Sequence, residues 1–317
     1  MNDRVKFFLK YGIFTHPDYD FIVISNGYGH VDVPSHVKLL LRENVGFDFG
    51  GWSDALLNDN LYKQYTHFVF INSSVYGPFV PTYYNDVWPT LFTKRLTTDL
   101  RLFGTTINSL NDAKSRAMVQ SMAYSTDLEA LEVLIQEKIF TRDYPKTFDE
   151  TIWQHEIRMS RVIINHGWNI GCLMKIYEGV DFRFKTSQPN DQPIKFLNDV
   201  NWNHIYFGNS MHPYEIIFLK GNRDIDMNWM RIYFPKPLRQ IERITAASYG
   251  VGYSTVDVLP KVREIISNGE LILVVDNTTL GIDPYYGKEK TLSITMDTGI
   301  TTTYLERTRI VIDTLFN

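Results

Sequence analysis

The sequence has a single cysteine, Cys172, among its 317 residues. One thiol closes no intrachain disulfide and makes no zinc framework, so the expected home is a reducing compartment, the cytoplasm. Neither charge is in large excess, since 32 Lys and Arg against 36 Asp and Glu leave a net −4. That excludes the broad basic field a phosphate backbone needs, and nucleic acid with it. Long apolar runs are missing as well. Phe21 to Ile24 and Phe68 to Ile71 fall far short of the roughly 18 residues that span a bilayer, and Met1 opens no signal-peptide pattern. No repeat, heptad array or low-complexity tract appears. What remains is a chain with 44% hydrophobic and 14% aromatic residues, enough to bury a core in two domains or one large one.

Short β-rich runs alternate with helical stretches in the first part. Tyr19 to Ser25 and His67 to Asn72 are strand-length apolar runs closed by polar residues, expected as buried parallel strands. Gly51 to Tyr65 and Ala117 to Phe140 have helical spacing, and a third strand is expected to end at Arg101 to Gly104. Alternation of this kind predicts an α/β layer architecture whose ligands sit beyond the carboxyl ends of the strands, which points to Asn26 and Asn72. From about Ile244 the pattern becomes short β runs with turn signals, including Glu270 to Val275, Thr291 to Thr295 and Arg309 to Ile312, as in a small antiparallel sandwich. The Pro-bearing stretch Tyr233 to Pro237 marks the linker. The expected domains are therefore residues 1–240 and 241–317.

Arg42-Glu43-Asn44-Val45-Gly46-Phe47-Asp48-Phe49-Gly50-Gly51-Trp52 is the most unusual stretch. Its glycines allow close backbone approach, and the start of a helix suits an anion such as a diphosphate. The alternative is a tight loop in which Asp48 or Ser53 caps the helix. Asn72-Ser73-Ser74 follows an expected strand and offers hydrogen bonds to a sugar or phosphate, or simply begins a turn.

In the helix expected from Asp149 to Gly167, about 100° per residue places Ile152, Glu156, Met159 and Ile163 in one narrow arc. Glu156 is thus a carboxylate centred on an apolar face, where desolvation raises a pKa, and it is a candidate general base. A structural salt bridge or a hydrogen bond to backbone is the alternative. Asp149 lies two turns earlier near the same face and is the second candidate catalytic residue, although Asp149 or Glu150 also suits the helix start. No paired Cys and His spacing appears, so the histidines are expected at the surface or in the core.

Taken in order, Phe7-Phe8-Leu9-Lys10-Tyr11-Gly12, Phe21 to Gly27, Arg42 to Trp52, Asn72 to Pro78, Gln120-Ser121 and His155 to Ser160 resemble the motifs of glycosyltransferases related to the bacterial rhamnan-synthesis F proteins. The resemblance covers roughly residues 5–180. It implies a GT-A-type fold, with a Rossmann-like mixed sheet flanked by helices. It implies transfer of a sugar, rhamnose or another hexose, from a nucleotide-diphosphate donor to a glycan or other hydroxyl-bearing acceptor. Carried over, Arg42, Asn44, Asp48, Gly50, Asn72, Ser73 and Ser74 would form the donor site and Glu156 the base of an inverting displacement. Relatives often carry an acid where this chain has Ser73, which weakens the case for Mg²⁺ or Mn²⁺. They also usually place a strand and loop ahead of the Phe7-Phe8-Leu9 helix. The nucleotide pocket is accordingly expected to lack one element, which makes an inactive glycan-binding or assembly protein the alternative function. The last part, from Ala247 to Glu306, resembles a small β domain at the C-termini of some J-domain proteins, implying protein or glycan contact.

Overall fold

The computed structural model describes residues 3–27, 31–81, 83–185, 195–223, 244–265, 270–296 and 301–313. The chain divides into two compact units, Met1–Arg231 and Ile232–Asn317. The expected linker at Tyr233 to Pro237 and the expected boundary at residue 240 lie outside the described residues.

The first unit is mixed α/β. Along the chain come α1 (Asp3–Tyr11), β1 (Ile22–Asn26), β2 (Lys38–Arg42), α2 (Phe47–Leu57), β3 (His67–Ile71), β4 (Val75–Tyr76), α3 (Thr90–Thr93), β5 (Leu100–Gly104) and β6 (Ile107–Asn108). They are followed by α4 (Ala113–Arg116), β7 (Met118–Val119), β8 (Ala123–Asp127), α5 (Leu128–Gln136), α6 (Phe148–Glu150), α7 (Arg158–Asn165), β9 (Asn169–Cys172), α8 (Pro213–Ile216) and β10 (Leu219–Lys220). Strands β1 and β2 pair in parallel. A four-stranded sheet has the order β3-β8-β5-β9, with β8 antiparallel to both neighbours and β5 parallel to β9. Strands β3, β5 and β9 therefore point the same way, and Asn72 leaves the sheet at the end where β8 enters.

Two expectations change. The hydrogen-bonded neighbour of β3 is antiparallel, and Ala117 to Phe140 is not one helix. Its first part forms β7 and β8, because Ala123-Tyr124-Ser125-Thr126 is buried on both faces and a short, fully buried apolar run has no periodicity that separates strand from helix. The helix starts only at Leu128, where the Asp127 side chain accepts from the Ala130 amide.

Period-two alternation in β3 divides the core. Phe70 stacks on Tyr124 at 4.9 Å and on Phe140 at 5.3 Å, with Trp52 of α2 at 5.4 Å. Val69 and Ile71 point to the other face and join Trp88, Phe92, Phe103 and Phe218. Each such ring contributes about 1.5–3 kcal/mol by burial, so both faces of the sheet are firmly covered.

The second unit comprises β11 (Ile244–Val251), β12 (Ser254–Asp257), β13 (Glu270–Val274), β14 (Thr291–Met296), β15 (Thr301–Leu305) and β16 (Arg309–Asp313). They form an antiparallel sheet of order β12-β11-β14-β15 and an antiparallel pair, β13-β16. Lys290 is only 2% exposed, and its charge is met by Asp283 at 3.0 Å and Glu306 at 3.9 Å. Asp276 caps a helical turn by accepting from the Thr279 amide. Among the described residues of either unit, no helix is long and apolar enough to cross a membrane.

Candidate active site

The stretch from Arg42 to Asp54 builds two polar clusters. In the first, Arg42 is buried and its Nε donates to Asp54 Oδ2 at 2.6 Å, while Nη1 donates to Asn26 Oδ1 at 2.7 Å. Tyr144 donates its hydroxyl to the other oxygen of Asp54 and lies under the guanidinium, 5.4 Å from ring centre to Cζ. Gly46 and Gly50 make room for this arrangement. Gly46 has φ 72°, and a Cβ there would meet Tyr144 Cβ at 2.7 Å; one on Gly50 would meet the Val45 carbonyl at 2.5 Å. The glycines thus serve internal packing, and Arg42 is committed to Asp54 rather than turned towards a ligand.

The second cluster lies at the carboxyl end of β3. Asp48, in the first turn of α2, is partly buried and accepts from Asn72 Nδ2 at 3.1 Å. Asn72 Oδ1 accepts from the Ser74 amide at 3.0 Å and from the Ser74 hydroxyl, which fixes its orientation. Burial pushes the Asp48 carboxyl above the usual range, the nearby charge of Glu156 adds to the rise, and the Asn72 amide and Lys220 act against it. Lys220 arrives on β10, which pairs with β4 so that Lys220 lies opposite Val75.

Glu156 reaches the cluster from a helix that changes pitch. A capping box between Thr147 and Glu150 starts α6, and Thr151–Ile157 then forms π-helical turns before α7. Glu156 Oε1 accepts from the Ser121 amide at 2.7 Å, the backbone bond that was one of its two alternatives. Beneath the carboxylates lies Tyr124, fully buried, whose hydroxyl has no hydrogen-bond partner among the described residues. Burial raises its phenol well above the ordinary value, and the charges of Asp48 and Glu156 raise it further.

The donor and catalytic candidates therefore separate. Asp48, Asn72 and Glu156 converge. Ser74 anchors Asn72, whereas Ser73 is exposed and, among the described residues, is engaged through its carbonyl by Arg4 Nε at 3.1 Å. Asn44 and Asp149 are both exposed, and no contact links either to the cluster among the described residues. Asp48 does not cap α2, whose N-cap is Gly46, and the Ser53 hydroxyl instead accepts from the Thr141 amide at 2.9 Å. His155 is a core residue with Nδ1 2.8 Å from the Ile139 carbonyl, and burial lowers its pKa. No group of three metal-ligating side chains occurs among the described residues. Tyr124 escaped the sequence reading because its strand was read as helix.

A cavity of about 850 Å³ opens beside the cluster, with Asn26, Asp48, Asn72 and Ser73 in its wall. Comparison with family models, with curated proteins and with solved structures finds no match for this chain.

Proposed function

We propose that this chain is a glycosyltransferase of GT-A type, moving rhamnose or another hexose from a nucleotide-diphosphate sugar to a hydroxyl of a glycan or related acceptor. The carrying observation is the Asp48–Asn72 pair at the carboxyl end of β3, where the charges of Lys220 and Glu156 are both felt by Asp48. The ordered motifs from Phe7 to Ser160 support the same reading. Glu156, held through one oxygen by the Ser121 amide, keeps its other oxygen for the proton of the acceptor hydroxyl. The acceptor oxygen then attacks the anomeric carbon as the bond to the diphosphate breaks, an inverting displacement. Because Arg42 is neutralised by Asp54, the charge that steadies the departing diphosphate is left to Lys220, whose charge acts on Asp48, or to Arg4, which lines the cavity beside Ser73. Asp48, with its raised pKa, and the Asn72 amide supply hydrogen bonds to the donor.

Thermal-shift titration with UDP-, GDP- and dTDP-linked sugars tests donor binding, since a ligand of the native state stabilises by mass action. Release of the nucleoside diphosphate with an acceptor present tests transfer. The reading fails if no donor shifts the transition and none is consumed. The engagement of Arg42 favours one second reading, a non-catalytic glycan-binding or assembly protein on the same scaffold. Glycan-array binding independent of nucleotide would select it. In either case the second unit is read as a small β-sandwich appendage for protein or glycan contact, supported by the shared core of its two sheets.

A further inference from the structure

The same cavity has a second character away from the polar cluster. Consecutive residues of two strands line it, Phe21 to Ile24 in and before β1 and Phe68 to Ile71 of β3. A cavity over one face of a strand touches alternate residues, whereas one against its edge touches them all. Each of these strands also has a free edge. Strand β1 pairs with β2 alone and β3 with β8 alone among the described residues. Helices close the remaining sides. Trp52, Ala55 and Leu56 of α2 contribute to the wall, as do Val5, Phe8 and Leu9 of α1.

Two strand edges and two apolar helix faces enclose a slot of definite dimensions. Five residues at about 3.3 Å each, one strand spacing of about 4.8 Å and one sheet thickness of about 10 Å give roughly 800 Å³. The whole cavity, its polar wall included, measures about 850 Å³, so one strand fits within it. Its edges carry backbone N–H and C=O groups that no helix or strand of the described chain pairs, and groups withdrawn from water without a partner are costly. A sugar or a flat ring cannot satisfy a row of alternating donors and acceptors on both sides, whereas an extended backbone can.

We propose that this slot is a strand-acceptor site. It takes about five consecutive apolar residues of a partner polypeptide, which hydrogen-bonds to β1 on one edge and β3 on the other and joins the two sheets into one. With helices above and below, the incoming strand is buried on both faces. It should therefore be apolar throughout rather than alternating.

The test uses the full chain and a synthetic peptide with five Val and Ile residues between terminal lysines. At about one hundred times its Kd the peptide should raise the melting temperature by about 5–10 °C. Native-state hydrogen exchange should show new protection, on both strands together, at those amides of Ile22 to Ser25 and His67 to Ile71 that face away from β2 and β8. A peptide N-methylated at alternate amides, unable to pair on one edge, should bind at least ten-fold more weakly. Ala55→Phe fills the slot from α2 and should abolish the shift while the variant stays folded by circular dichroism. Several results overturn the proposal: no shift with the peptide, protection on only one strand, indifference to N-methylation, or a shift that survives Ala55→Phe. Displacement of the peptide by a nucleotide that itself protects both strands would also do so, as would a stable dimer of the chain that already protects them.

Discussion

Arg42 and Asp48 are six residues apart at the entrance to α2, and they end in opposite situations. Arg42 meets a carboxylate, an amide oxygen and an aromatic face, and its charge is cancelled where it stands. Asp48 has one amide donor, with Lys220 as a nearby cation and Glu156 as a nearby carboxylate of its own sign, above a tyrosine hydroxyl with no partner among the described residues. A satisfied network has no reason to bind anything more; its contribution is a fixed geometry. An unsatisfied one costs stability until something else completes it, which is the usual condition of a site. The contrast separates scaffold from chemistry within one loop.

The largest expected effect comes from the unsatisfied side. Glu156→Gln keeps the acceptor atom for the Ser121 amide and removes the base, so transfer should fall by about 10²–10⁴-fold with the melting temperature and donor affinity unchanged. Steady-state kinetics beside a donor titration reads this. Equal loss of donor binding would place Glu156 with Arg42 among the structural groups. On the satisfied side, Arg42→Ala leaves Asp54 without its cation and should cost about 3–5 kcal/mol of stability. Urea unfolding measures that cost. If the variant unfolds like the parent but loses donor affinity, Arg42 belongs to the site after all.

The same contrast explains what the sequence revealed. Strands β1, β3 and β5 were legible because each is a bounded apolar run, and Glu156 stood out because a carboxylate on an apolar helix face conflicts with its surroundings. Arg42 and Gly50 stood out equally, but a crowded turn and a ligand cradle call for the same residues. Only the positions of Asp54, 12 residues from Arg42, and of Tyr144, 90 residues beyond Asp54, separate those cases. Tyr124 was hidden for another reason. Its neighbours Ala123, Ser125 and Thr126 are small and buried on both faces of the sheet, so no alternation marked a strand. The slot between β1 and β3 depends on which edges pair, and local spacing does not encode that.

Two smaller effects sharpen the comparison. Tyr124→Phe deletes a buried hydroxyl with no partner among the described residues, so it should be neutral or stabilising by up to about 1 kcal/mol, where removing a paired tyrosine would destabilise. Loss of transfer in this stable variant would show that the hydroxyl is completed by substrate. Differential scanning calorimetry and the kinetic assay together decide it.

Asp48→Asn tests the same principle through pH. The folded carboxyl has a pKa above the ordinary 3.8. Between that value and the raised one, the native state binds more protons than the unfolded chain. The Asp48 contribution to stability therefore declines as pH rises through that window and stays unfavourable above it. Asparagine cannot ionise and can still pair with the Asn72 side chain after an amide flip. The variant should be slightly more stable than the parent at neutral pH, and the two should converge as pH falls below about 3.8. Melting temperatures of both proteins across pH 3–8 give the comparison. A variant less stable at neutral pH would mean that the charge of Asp48 is compensated within the fold, as that of Arg42 is, and the distinction between the two clusters would collapse.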